Sequence, residues 1–208
     1  MRHHDEQLEP AYGYLSVLES PEHGFFGGYL IISDWGRPLE FHCTAPVRPS
    51  RAQQILYGPS LRPYLLGEQI GPALAAKAKL APQVILTDQA ATLCLRSQSQ
   101  VPMALVVGPI DTAPGMNAAV DSVASDTSFV PIIAPPLPPT LPTGQLIIAN
   151  YKLVLPDAFR DDADRLAGLL APLVAHVDLA EPFDRIHEAI REAQRIGTRG
   201  TEVHGQAA

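Results

Sequence analysis

The sequence predicts an α+β fold: a mixed sheet built on an N-terminal β-hairpin with flanking helices, followed by a proline-rich connector and C-terminal helices. Two β-rich runs joined by a short glycine-containing turn indicate the hairpin, at residues 28–44. Two helical patterns with apolar stripes close the chain. Its 208 residues, 46% hydrophobic and 18% charged, are typical of a folded domain of ordinary size.

Three strands are expected in the first 44 residues. The first covers residues 12–19, which are rich in aromatic and aliphatic side chains. Residues 21–28, including the glycine-rich run 24–28, supply the following turn. The hairpin then follows with arms at 28–33 and 38–44. Its second arm alternates in hydropathy, which predicts that Cys43 lies in the core and that His42 faces away from it.

Short helices are predicted after the hairpin. Ser50 is a suitable N-cap for a helix ending at Tyr57, with Ile55 and Leu56 pointing inward. Residues 60–80 fit two further helices separated at Gly71 and Pro72.

A β-α-β pattern completes the first part of the chain. Strands are expected at residues 83–86 and 103–107, and a short helix capped by Asp88 lies between them. The whole of 11–108 is therefore predicted to be an α+β core domain.

A change in composition follows this domain. Residues 131–142 contain six prolines in twelve positions, which favours an extended connector, assigned to 109–144. A strand and the C-terminal helices occupy 145–197. Flexible tails are expected at 1–10 and 198–208.

The C-terminal part is expected to hold one strand and two helices. The strand covers residues 145–151 and extends at most to Leu155. A helix over 157–177 contains Pro172, and the last helix runs over 182–196 with Gly197 just after its end. The last helix has an apolar seam that is a candidate docking surface for a partner: Phe183, Ile186, Ile190 and Ala193.

The sequence contains no motif typical of a catalytic residue, a metal site or a cofactor site. Phosphate-loop and dinucleotide-binding glycine motifs, the GxSxG and HExxH signatures and any CxxC pair are all absent. No apolar run reaches the roughly 20 residues needed to cross a bilayer. Because the first residues are polar and acidic without a following apolar segment, we expect a cytoplasmic protein.

Charge is unevenly distributed along the chain. A net charge of −7 disfavours general nucleic-acid binding. The interval 34–63 is nevertheless basic, with four arginines against two carboxylates. These arginines, with a nearby histidine, are a candidate anion-binding set: Arg37, Arg48, Arg51, Arg62 and His42. A solvated surface without a ligand accounts for the arginines as well.

Two functions are compatible with these observations. The first is a non-enzymatic interaction or accessory subunit of a larger cytoplasmic assembly, which docks another protein subunit through the C-terminal helix and the connector. The alternative is a binding module or enzyme for a phosphate-bearing or nucleic-acid ligand that uses the arginine set. The second hypothesis requires the four arginines to converge on one concave surface.

Overall fold

A computed structural model describes residues 9–109 and 144–202 of the chain, with side chains up to residue 195. Residues 110–143 of the predicted connector lie outside the described residues, as do residues 1–8 and 203–208 of the predicted tails.

Seven strands of the described residues form one mixed sheet, in the order β3-β2-β1-β4-β5-β7-β6. They are β1 (Ala11–Ser20), β2 (Gly24–Ser33), β3 (Pro38–Cys43), β4 (Val84–Thr87), β5 (Met103–Pro109), β6 (Gly144–Ile148) and β7 (Tyr151–Leu155). The first three strands form an antiparallel meander, and β4 and β5 run parallel to β1. The last two strands add an antiparallel hairpin beside β5. The α+β fold with its mixed sheet and N-terminal hairpin is thus confirmed.

Helices cover both faces of this sheet. One face carries the composite α2 (61–75) and the 3-10 helix Ala90–Gln98, and the short helix α1 (Arg51–Tyr57) precedes α2 without burying a residue. Within α2, Leu61–Pro63 and Gly71–Ala75 are α-helical and Tyr64–Ile70 is π-helical. The opposite face carries α3 (Asp162–Val174) and α4 (Glu181–Glu202). Two further 3-10 turns lie at Gly58–Ser60 and Asp157–Phe159.

The buried core is divided by the sheet into two clusters. Alternate residues of β1 point to opposite faces, so Tyr12, Tyr14 and Leu18 pack against α3 and α4. Leu15 and Val17 pack against α2 and the 3-10 helix. Because β1 and β4 are covered on both faces, nearly all of their residues are buried. Their sequences are therefore mainly apolar and do not alternate in hydropathy.

The glycine-rich run 24–28 belongs to a strand and not to a turn, contrary to the prediction. Strand β2 begins at Gly24, and only residues 21–23 form the turn. Glycine is needed inside this strand because helices approach its backbone closely. A Cβ at Gly28 would lie 2.3 Å from Cγ2 of Ile186, and one at Gly27 would lie 2.2 Å from Cγ2 of Ile70.

Helix α1 differs from the prediction in its orientation. Ser50 caps it as expected, with its side chain accepting from the backbone N–H of Gln53 in a capping box. However, no residue of α1 is buried, and Ile55 and Leu56 are 66% and 81% exposed. The prediction that these two side chains point inward is therefore wrong, because α1 does not pack its apolar side on the sheet.

The predicted break at Gly71 and Pro72 is also absent. Helical backbone runs on through this point, because Pro72 lies in the first turn of Gly71–Ala75, where its missing N–H is tolerated. In the same composite helix, a Cβ at Gly67 would lie 1.9 Å from Sγ of Cys94. This glycine therefore allows α2 to pack directly against the 3-10 helix.

The C-terminal elements extend the same sheet. The single strand expected at 145–151 is a hairpin of β6 and β7, whose turn contains Ala149 with φ of 53°. In α3, Pro172 lies two residues before the helix end. Gly197 lies inside α4, so the prediction that it follows the helix end is wrong. Among the described residues, no helix is long and apolar enough to cross a membrane.

Candidate functional site

A serine, an aspartate and a histidine meet at the carboxyl end of the central parallel strands. Ser16 lies on β1, Asp88 directly follows β4, and His187 lies on α4. The parallel register pairs Leu15 with Thr87, so Ser16 and Asp88 are the next neighbours across these strands. Ligands of α/β proteins commonly bind outside the carboxyl ends of parallel strands.

The three polar side chains contact one another directly. The Ser16 hydroxyl donates to Oδ2 of Asp88 at 2.8 Å, and the same Oγ lies 2.8 Å from Nε2 of His187. Nε2 of His187 is also 3.3 Å from Oδ2 of Asp88. An ionised carboxylate only accepts hydrogen bonds, so the Ser16 proton is donated to Asp88. The Ser16 oxygen can then only accept from Nε2 of His187, which therefore carries the ring proton. A neutral His187 therefore has its lone pair on Nδ1.

Accessibility differs among the three residues. Ser16 is fully buried, whereas the side chains of His187 and Asp88 are 22% and 24% exposed. A ligand at the surface can thus approach the side chain of His187, but not the serine oxygen. Ser16 positions the other two groups and is not placed to act as a nucleophile.

The backbone turn after β4 is fixed by threonine hydroxyls. The hydroxyl of Thr87 accepts from the backbone N–H of Gln89 at 3.2 Å and lies 2.6 Å from that of Thr92, which in turn donates to the Gln89 carbonyl. Gln89 Nε2 donates to the carbonyl of Val17 on β1. Asp88 was predicted to cap a helix, but the 3-10 helix has Gln89 at its N-cap position and no side-chain cap. The carboxylate of Asp88 is directed to Ser16 instead.

Two acceptor atoms beside this cluster are buried without a hydrogen-bond partner among the described residues: Oδ1 of Asp88 and Oε1 of Gln89. Tyr14, two residues before Ser16 on the same face of β1, also has a buried hydroxyl without such a partner. Burial raises the pKa of Tyr14, so it remains a neutral phenol. Its ring packs edge-on against Phe183, at 5.1 Å between centroids, one helical turn before His187. This aromatic contact helps to fix α4 over β1.

Arg37 lies apart from the other three predicted anion-binding arginines. Arg37 is exposed in the β2–β3 turn, at one end of β3, while Arg48 follows the other end. Arg37 is bonded to β2 at Ser33, and Val47, the residue before Arg48, is bonded to it at Phe25, so eight strand residues or roughly 26 Å separate them. Arg48 donates to the backbone carbonyls of Glu22 and His23, and Arg62 pairs with Glu19 at 2.6 Å. Arg51, at the start of α1, donates to the side chain of Gln54. Each of these last three arginines thus has a contact within the chain.

His42 and Cys43 are placed opposite to their predicted faces. The alternation on β3 exists, but Cys43 is exposed and His42 is partly buried. Strand β3 is an edge strand, and α4 covers β1 and β2 without reaching it, so the face carrying Phe41 and Cys43 lacks a helix. On the opposite face, the carboxylate of Glu40 lies 2.6 Å from Nε2 of His42.

Glu40 joins the edge strand to the segment after α2. Its carboxylate accepts the backbone N–H groups of Lys79 and Leu80 at 3.0–3.1 Å. The N–H of Lys79, the His42 side chain and the N–H of Leu80 lower the pKa of Glu40 from 4.5 to about 2.

Stability is therefore expected to depend on pH through Glu40. The pKa of Glu40 is lower in the folded protein than in the unfolded chain. The ionised carboxylate therefore stabilises the fold above about pH 4.5, and this contribution is lost as the pH falls towards 2. Compared with Glu40→Gln, the wild type should be more stable by about 1.5 kcal/mol at neutral pH, with the difference shrinking below pH 4.5. Urea unfolding of both proteins between about pH 7 and 3 measures this. A difference that stays constant with pH would contradict the role of the charge.

The predicted docking seam of the last helix faces the chain's own sheet. Phe183, Ile186 and Ile190 are at most 5% exposed and belong to the core between α4 and the sheet. Ala193 is exposed. Among the described residues, no group of three or more histidine, cysteine or carboxylate side chains is arranged to hold a metal ion.

Comparison with known proteins gives little further information. No protein family model matches the chain, and no curated protein does. Among solved structures, it is similar to endonuclease V of Ciona intestinalis in complex with a 24-mer DNA containing an inosine followed by a ribo-adenosine. A variant of that enzyme with a 23-mer DNA matches equally, both with 18% identity and a TM-score of 0.34. The match covers 48% of this chain and 46% of the other, which is too limited to assign a family or an activity.

Proposed function

We propose that the chain is a hydrolytic enzyme whose general base is Nδ1 of His187. The observation that supports this is the pair of contacts at Nε2 of His187, which lies 2.8 Å from Oγ of Ser16 and 3.3 Å from Oδ2 of Asp88. A carboxylate that holds one imidazole nitrogen protonated leaves the other nitrogen basic. The roles of the two ring nitrogens are reversed relative to the usual serine–histidine–aspartate arrangement.

The proposed reaction uses water as the nucleophile, since Ser16 is fully buried. Nδ1 of His187 takes a proton from a water molecule as its oxygen bonds to the electrophilic atom of an ester. The leaving alkoxide then receives that proton from Nδ1. Asp88 stabilises the imidazolium formed between these steps through Oδ2.

The wild-type protein tests this proposal directly. Long-range ¹H–¹⁵N NMR at about pH 8 should show His187 protonated at Nε2 and bare at Nδ1. Hydrolysis of p-nitrophenyl acetate or bis(p-nitrophenyl) phosphate should exceed the buffer rate. A proton on Nδ1, or no hydrolysis of either ester, would contradict the proposal.

A second proposed function is an interaction or accessory subunit of a larger assembly. The exposed aliphatic side chains of Ile55 and Leu56 on α1 support it, because neighbouring exposed apolar side chains are typical of surfaces that contact a partner. This surface differs from the last helix, whose seam is buried within the chain.

A further inference from the structure

The exposed side of α1 combines apolar and cationic groups. Ile55 and Leu56 are 66% and 81% exposed, and none of the seven residues of the helix is buried. Arg51 lies four residues before Ile55, so the two share one face of the helix. At the end of α1, the ring of Tyr57 stacks on that of Tyr64 at 4.2 Å between centroids. We call Arg48, Arg51, Ile55 and Leu56 the α1 patch.

Charge sets this region apart from the rest of the chain. Between residues 44 and 82 there are five basic residues and one acidic residue, Glu68, in a protein of net charge −7. Arg51 is exposed in the first turn of α1, and Arg48 is exposed two residues before the N-cap Ser50. An occupant of the patch must therefore offer both apolar surface and negative charge.

We propose that the α1 patch docks a segment of another protein in which aliphatic residues are flanked by carboxylates. This proposal rests on the interaction-subunit function and names the chemistry of the partner. Aliphatic side chains of the segment would cover Ile55 and Leu56, while its carboxylates would face Arg48 and Arg51.

Two other anionic partners fit the patch less well. A nucleic acid would contact the arginines but would leave the aliphatic side chains largely uncovered, because its outer surface is phosphate. An anionic bilayer is an extended surface, so the acidic remainder of the chain would also face it and be repelled. A short acidic segment contacts only the basic region and avoids that repulsion.

A photo-crosslinking experiment identifies the occupant. A photoreactive amino acid is placed at Ala52, which is exposed on α1, in the full chain. After irradiation in an extract of the source organism, mass spectrometry identifies the cross-linked segment. We expect a segment of a different protein, rich in aliphatic and acidic residues. Cross-links only to a second copy, to residues of the same chain, to lipid or to nucleic acid would overturn the proposal.

The identified segment is then synthesised as a labelled peptide, and its binding is measured by fluorescence anisotropy. Ile55→Ser combined with Leu56→Ser should weaken binding at least tenfold, as should Arg51→Glu, and raised salt should weaken it further. Ile147→Ser, at an aliphatic side chain on β6 that is 64% exposed, is the matched control and should bind like the wild type.

The outcomes separate this inference from the interaction-subunit function. If a partner is captured and its binding is unchanged by the α1 substitutions, the α1 patch is not the docking surface, although the interaction function stands. If no partner protein is captured at all, both proposals fail. Thermal melts of the variants should match that of the wild type, because the substituted side chains are exposed.

Discussion

Ile186→Asp is expected to unfold the protein. Ile186 is fully buried, and its Cγ2 lies so close to β2 that Gly28 has no room for a Cβ. An aspartate there would place an unpaired charge in the core between α4 and the sheet and would remove the aliphatic contacts. The expected loss is at least about 4 kcal/mol, which is most of the stability of an ordinary domain. Urea unfolding followed by circular dichroism measures it.

Ala193→Asp is the matched control, since Ala193 is exposed on the same helix. This control should change the free energy of unfolding by less than about 0.5 kcal/mol. A folded Ile186→Asp protein that merely lost a binding partner would show instead that the helix seam is a docking surface, as the sequence suggested.

His187→Ala is expected to lower the rate of ester hydrolysis by about 10²–10⁴-fold, the usual contribution of a general base. The substitution removes Nδ1 as the proton acceptor but retains the hydrogen bond from Ser16 to Asp88. The loss should appear in kcat, because the removed group acts on the attacking water.

His176→Ala is the control for this substitution. His176 is exposed and stacks on Trp35 at 3.8 Å, and the structure places no carboxylate or hydroxyl group of the described residues in hydrogen-bond contact with its ring. Its substitution should leave the rate unchanged. Equal rates for wild type and His187→Ala would show that any hydrolysis arises elsewhere.

Local patterns predicted much of the secondary structure because strands and helix caps depend on neighbouring residues. The β-rich composition of the first 44 residues predicted the hairpin, and Ser50 with Gln53 forms the expected helix cap. The same patterns failed where burial depends on a distant element. Alternation on β3 was real, but whether Cys43 or His42 is covered depends on which face a helix reaches.

The candidate site was missed because its members are far apart in sequence. Ser16 is 72 residues from Asp88 and 171 from His187. Two signals were nevertheless available: a serine in the middle of a mainly apolar strand, and an aspartate directly after a short buried strand. Neither signal indicates that His187 joins them, because that depends on how α4 crosses the sheet.

The sequence by itself determined the α+β class, most strands and the last helix, since hydropathy period, turn residues and capping residues act over a few positions. Only the tertiary structure decided that the seam of α4 is internal, that Ile55 and Leu56 are exposed, and that Arg37 lies apart from the other three arginines. It also brought Ser16, Asp88 and His187 together. The physical reason is that strand order and helix docking are set by burial summed over the whole chain, which no local pattern contains.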